Sequence, residues 1–165
     1  MGGGARTAAH DMTDPVVVIR AARAADVDAI HAIEVASFTD PWKRVGFRDL
    51  ILAGAATVVV ATDSADTPMG FGILVSAADE AEIANVAVAP HARRRGIGAA
   101  LVDHLLAVAQ EAGAVAIYLE VRESNAAARS LYGAKGFCDV SRRRAYYRLP
   151  EEDAIVMRRP PPAIA

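Results

Sequence analysis

One stretch limits the possible folds of this chain more than any other: Asn85-Val86-Ala87-Val88-Ala89-Pro90-His91-Ala92-Arg93-Arg94-Arg95-Gly96-Ile97-Gly98. A β-branched run stops at a proline, three arginines follow, and two glycines open a long helical pattern. Along that helix Ile97, Leu101, His104, Leu105, Val108 and Ala112 fall on one stripe. The first turn of a helix carries unpaired N–H groups and the positive end of the dipole. Glycine removes the Cβ that would hold an anion away, and arginine adds charge. The strand–loop–helix stretch therefore reads as a cradle for a pyrophosphate.

Two common phosphate loops do not fit. A Walker loop ends in Gly-Lys-Ser/Thr, which is missing here. The dinucleotide fingerprint needs a small residue three positions after its second glycine, and Leu101 stands there. Glu120, 22 residues beyond Gly98, imitates the ribose-binding acid of that fingerprint but does not repair it.

The rest of the chain sets this stretch in an α/β order. Residues 16–19 form a β-branched strand, and Val27, Ile30, Ile33, Glu34 and Phe38 recur at helical spacing. Pro41 suits the early turn of a second helix ending near Leu52. Residues 57–62 and 69–77 read as a hairpin, residues 82–88 as the strand before the cradle, and residues 115–121 as a strongly apolar strand after Gly113. Ser124 or Asn125 caps a helix that stops at Gly136. Residues 137–140, 145–148 and 154–157 are strand-like. The expected order is β-α-α-β-β-β-α-β-α-β-β.

A length of 165 residues suits one domain. Residues 1–15 read as a flexible leader, 16–159 as the domain and 160–165 as an extended tail. Net charge is −2, which argues against a nucleic-acid-binding surface. The longest apolar stretch, residues 51–61, is about half a membrane span. Cys138 is the single cysteine, so no internal disulfide and no cysteine metal cluster can form. These features point to a protein of the cytoplasm with no metal. The basic residues are nearly all arginine, bunched at 93–95, 142–144 and 158–159; the first run suits phosphate, the last reads as solvated surface, and the middle one stays open.

A second block carries reactive groups: Leu119-Glu120-Val121-Arg122-Glu123-Ser124-Asn125, continuing to Leu131-Tyr132 and Gly136-Phe137. Asn125 and Tyr132 are seven residues apart, about 10.5 Å along a helix, and so share a face. Glu120 lies at the C-terminal end of the strand feeding that helix, where ligands of open α/β sheets bind. An acid, an amide and a phenol thus converge near the anion cradle.

Together these blocks resemble the GNAT superfamily of N-acetyltransferases, and within it the RimI-type bacterial ribosomal-protein-alanine enzymes. The resemblance rests on Arg93-x-x-Gly96-x-Gly98, on Leu119 through Asn125 with Leu131-Tyr132 and Gly136-Phe137, on Arg143-Arg144-x-Tyr146-Tyr147, and on Glu152 through Ile155. Phe38 with Pro41-Trp42 extends it, so that it covers residues 16–157. It implies a mixed, mostly antiparallel sheet of six to seven strands with about four helices and a splayed central parallel pair. It implies acetyl-CoA as cosubstrate, with the backbone of Val86, Ala87 and Val88 holding the acetyl-pantetheine arm. Arg93, Arg94, Arg95, Gly96, Ile97, Gly98 and Ala99 would hold the pyrophosphate, and Asn125 would bind the cofactor from the last helix. Glu120 would accept a proton and Tyr132 donate one, the acceptor being a protein N-terminus such as a ribosomal protein's alanine. Gly133 departs from the helix formers expected after that tyrosine.

The residues alone leave alternatives. Glu120 could instead pair with Arg122 or Arg144, and Glu80 and Glu82 are rival bases, Glu82 the stronger. Tyr132 could simply cap the core. His104 and Cys138 read as structural, and Tyr146 and Tyr147 as groove or strand aromatics. A transferase for a small amine and a non-catalytic acyl-CoA-binding module are the competing functions.

Overall fold

The computed structural model describes residues 16–161. The expected leader and the last four tail residues lie outside them. The strands are β1 (Val18–Ala21), β2 (Thr57–Thr62), β3 (Pro68–Ala77), β4 (Glu80–Val88), β5 (Ala116–Arg122), β6 (Cys138–Arg148) and β7 (Glu151–Arg159). The helices are α1 (Val27–Ser37), α2 (Arg44–Ala53), α3 (Ile97–Glu111) and α4 (Ala126–Ala134). The seven strands form one sheet in the order β1-β2-β3-β4-β5-β7-β6. Every neighbouring pair is antiparallel except β4 and β5.

Alternation along β3 decides what covers each face. Phe71 meets Phe47 edge to face at 5.5 Å, which places α2 on one side. Gly72 points to the other side, where a Cβ would sit 2.9 Å from Leu105 of α3. Glycine is needed there because α3 packs against the sheet backbone itself. The core between these layers includes Ile30, Phe47, Phe71, Ile73, Leu101 and Leu105, all fully buried.

The parallel pair sets up the site. Glu80, Ala81, Glu82 and Ile83 pair with Ala116, Ile117, Tyr118 and Leu119, and then the two strands part. On its other edge β4 pairs Asn85 with Ile73 but Ile83 with Leu74, so Ala84 is an extra residue. Such a bulge bends its strand, and here it coincides with the point of divergence. The splayed pair and the element order expected from the sequence are both present.

Several local expectations change. The two strand-like stretches after Gly136 are one strand, β6, nearly all of it exposed. β1 begins two residues later than expected, at Val18. Phe38 lies past the end of α1 in extended conformation, and its N–H still closes onto the Glu34 carbonyl at 3.0 Å. The buried stripe of α3 is wider than expected and includes Val102, Leu106 and Ala109, while His104 is only half-buried. Cys138 is exposed at the head of β6, the edge strand of the sheet, rather than packed in the core.

Candidate active site

Where β4 and β5 part, a cleft of about 930 Å³ opens. Its walls are the 38–43 segment, the freed end of β4, the end of β5, the face of α4 and the β6–β7 turn. Glu120, Asn125 and Tyr132 all line it, so the convergence expected from the sequence exists in space.

The β4 wall can be resolved residue by residue. The Ala89 N–H donates to the Met69 carbonyl of β3 at 2.8 Å. Backbone groups alternate sides along a strand, so Ala87 also turns toward β3, while Val86 and Val88 turn toward the gap. The Val88 carbonyl accordingly accepts from Arg93 Nε at 3.0 Å. Of the three residues expected to hold an acetyl-pantetheine arm, Val86 turns its backbone groups and Val88 its N–H to the gap, while Ala87 spends its own on the sheet.

The anion cradle has the form its residues suggest. Gly96 caps α3 with φ at 76°, a left-handed conformation that favours glycine. The Ala100 N–H is the first to bond within the helix, to the Gly96 carbonyl at 3.0 Å, leaving those of Ile97, Gly98 and Ala99 for a ligand. A Cβ at Gly98 would make only ordinary 3.7 Å contacts with Leu131 and Val88, so packing does not demand glycine there. The first turn carries no acid that would repel phosphate. Arg94 and Arg95 are exposed beside it. Arg93 is differently occupied, since besides Val88 it donates to Ser37 Oγ at 3.2 Å, tying the loop to α1.

Glu120 is held by Arg143, with Nε 2.5 Å from Oε1, and so pairs with neither arginine that its sequence surroundings suggested. Arg122 instead pairs with Glu152 at 3.3 Å and lies 4.3 Å over the Tyr147 ring. The neighbouring Glu120 carboxylate holds the Tyr146 phenol above the ordinary range, and burial pushes that of Tyr147 up to about 12. Glu82, the rival base, shares with Glu80, Glu120 and Arg143 an adjoining recess of about 330 Å³. Its carboxyl is raised, first by burial and then by the charge of Glu120, with Arg143 opposing.

Tyr132 packs edge to face on Phe137 at 5.8 Å, and burial pushes its phenol up to about 12. At neutral pH the phenol is therefore protonated. Asn125 caps α4, its Oδ1 accepting from the Ala128 N–H at 3.1 Å, which leaves its amide N–H groups for a ligand. α4 runs through Gly133, where a Cβ would meet nothing within 4 Å.

The open 142–144 run resolves into separate tasks. Arg142 bridges Glu123 and Asp153 at 2.5 and 3.0 Å, bracing the β6–β7 hairpin, while Arg143 serves Glu120. Arg158 and Arg159, read as solvated, are half-buried: one lies 5.9 Å from the Tyr118 ring and the other donates to the Lys135 carbonyl at 2.9 Å. One residue of the cleft escaped the sequence reading except as a helix position. Glu34 is 1% exposed, accepts from the Trp42 N–H and from Asn85 Nδ2, both at 2.9 Å, and is raised by burial. Its only sequence signal is an acid among the apolar positions of α1.

Residues 27–137 match the model of the acetyltransferase (GNAT) family. The chain belongs to that family. This GNAT chain is 36% identical over 137 residues to the ribosomal protein bS18 alanine N-acetyltransferase of Salmonella typhimurium, covering 82% of this chain and 91% of that one. The crystal structure of the S18 alanine N-acetyltransferase of Escherichia coli superposes with a TM-score of 0.80 at 32% identity, covering 91% of this chain and 97% of that one. The Ard1 structure from Thermoplasma volcanium gives 0.80 at 27% identity, with 89% and 99% covered.

This GNAT protein is an acetyl-CoA-dependent N-acetyltransferase. The residues fit that cosubstrate: three free helix N–H groups and two exposed arginines answer a pyrophosphate. Among the described residues no three His, Cys, Asp or Glu side chains are grouped to hold a metal ion. No helix among them is long and apolar enough to cross a membrane.

Proposed function

We propose that this enzyme acetylates the α-amine of a protein N-terminus, with the N-terminal alanine of a small-subunit ribosomal protein as acceptor. The observation that carries this reading is the cleft, which runs from the Pro41–Trp42 wall to Glu120 and Tyr132 and has room for a chain end as well as the cofactor arm. The activity of the Salmonella and Escherichia relatives supports the choice of acceptor.

Acetyl-CoA supplies a thioester carbonyl and a thiolate leaving group. Glu120 takes a proton from the acceptor's α-ammonium, directly or through water, and the freed amine lone pair attacks the thioester carbonyl. A backbone N–H of Val86 or Val88 donates to the carbonyl oxygen as charge builds on it. Tyr132 gives its proton to the departing sulfur. An α-amine has a pKa near 8 against about 10.4 for lysine, so it is the easier nucleophile at neutral pH by roughly 3 kcal/mol.

Incubation with acetyl-CoA and an alanine-led peptide should acetylate the α-amine, read by mass spectrometry of the fragments. Labelling confined to lysine would refute the N-terminal assignment. The acid-lined recess beside Glu120 favours one second reading, a small polyamine acceptor. Turnover of spermidine faster than of the peptide would decide for it.

A further inference from the structure

The 38–43 segment forms one wall of the cleft, yet it lies between α1 and α2 without regular structure. Its backbone is wrapped around a single residue. The Phe38 N–H reaches the carbonyl of Glu34 at 3.0 Å, and the Trp42 N–H reaches the side-chain Oε1 of the same residue at 2.9 Å. The other carboxylate oxygen accepts from Asn85 Nδ2, also at 2.9 Å. Asn85 directly follows the β4 bulge and precedes Val86, whose backbone faces the gap. Glu34 thus joins the loop wall to the strand beside which acyl transfer takes place, and it does so while 1% exposed. Both donors are neutral, so the carboxylate is specified as a two-sided acceptor.

Building on the reading of a protein N-terminus as acceptor, we propose that Glu34 is the positioning residue that sets the width of the pocket for the acceptor's first side chain. It does so by fixing Trp42 relative to Asn85. Of the two sides it joins, the strand is the rigid one, since β4 is laddered to β3 along its length. The loop is what moves when the clamp opens. Trp42 stacks on Phe47 at 5.7 Å and is 39% exposed, so a shifted loop changes the wall seen by the acceptor. The phosphate cradle lies elsewhere, at the start of α3.

Hydrogen-bond chemistry supplies a test that separates the clamp from general folding. Asn85→Asp sets two carboxylates face to face. Glu34→Gln combined with Asn85→Asp restores every connection: the oxygen of the introduced amide accepts from Trp42, and its NH₂ donates to the introduced carboxylate. Losing a hydrogen bond to a charged group is worth about 1.5–3 kcal/mol, or roughly tenfold or more. Asn85→Asp is therefore expected to raise the peptide KM about tenfold and to narrow the preference for an alanine-led over a leucine-led peptide. The double variant returns both toward wild type, and the acetyl-CoA KM stays level throughout.

Trp42 is the only tryptophan, so its fluorescence reports the loop without any acceptor present. The emission should shift to the red in Asn85→Asp and recover in the double variant. If Asn85→Asp does not fold, the double variant must still fold and retain the wild-type emission and peptide preference. No rescue, an unchanged size preference, or an acetyl-CoA KM that moves with the peptide KM overturns the proposal. Failure of the wild-type enzyme to acetylate any peptide α-amine would instead overturn the acceptor reading, and with it the pocket role, whatever the fluorescence shows.

Discussion

Arg143 reaches from β6 across the intervening β7 to hold the carboxylate of Glu120 on β5, with 2.5 Å between Nε and Oε1. Its guanidinium also faces Glu82, whose carboxyl is raised by burial and by the charge of Glu120. Arg143 is the one group opposing that rise. Arg143→Met should therefore move Glu82 further up, because a cation that favours the ionised form is removed. The fraction of enzyme with Glu82 ionised then falls at higher pH than in wild type. The acidic limb of the kcat/KM profile for the peptide is expected to shift to higher pH, and a limb that stays in place would separate Glu82 from catalysis.

In the proposed mechanism Glu120 and Tyr132 have opposite proton duties, and conservative substitutions keep their packing. Tyr132→Phe retains the ring against Phe137, and Glu120→Gln retains the side-chain volume. Loss of a positioned acid or base costs about 10²–10⁴ in rate, so each variant should lose roughly 100-fold or more in kcat with acetyl-CoA affinity nearly unchanged. Steady-state kinetics with calorimetric titration of the cofactor separates the two quantities. An affinity loss without a kcat loss would assign both residues to cofactor binding.

Gly98 offers a variant in which stability and binding move in opposite directions. A Cβ there meets Leu131 and Val88 only at 3.7 Å, and α3 has begun by this position. Gly98→Ala should therefore stabilise the free protein by up to about 1 kcal/mol. The variant also adds bulk to the turn that carries the free N–H groups of residues 97–99, so acetyl-CoA affinity is expected to fall by about tenfold, near 1.4 kcal/mol. Thermal melts with and without cofactor measure both. A variant that melts higher and binds equally well would remove the cradle from the site.

What the sequence makes legible is local. Repeating apolar residues and glycine or proline stops place most elements to within about two residues, and the 85–98 and 119–137 blocks place Glu120, Asn125 and Tyr132 beside the cradle. The rest depends on contacts between distant segments. Glu34 meets Asn85 51 positions away, and nothing within α1 shows that its acid is the inner end of a clamp. Arg143 is indistinguishable from its neighbours in the sequence because side-chain pairing across three strands is set by register. β6 reads as two pieces because an edge strand exposed at nearly every position has no apolar alternation to reveal it. Arg93 looks like a phosphate ligand because only the fold shows its guanidinium turned to Val88 and Ser37.

The far edge of the sheet carries a pair whose pH response can be worked out. Arg20 donates to both oxygens of Asp26 at 2.7 and 3.0 Å, and the Arg23 N–H adds a third bond at 2.7 Å. The Asp26 side chain is 8% exposed, and the Arg20 hydrogen bonds hold its carboxyl below the ordinary 3.8. A carboxyl depressed in the folded state contributes stability that is complete above its unfolded pKa and is lost as pH falls through the folded value. Asp26→Asn removes that contribution while leaving Arg20 its second partner, Asp66, at 2.7 Å. Breaking a buried pair costs about 3–5 kcal/mol, and the retained partner puts the expected loss at or below the lower end, about 3 kcal/mol at pH 7. Urea unfolding of both proteins from pH 7 downward should show the gap constant to about pH 4 and then closing. A gap that stays constant below that point, or widens, would show that the ionised carboxylate of Asp26 does not stabilise this end of the fold.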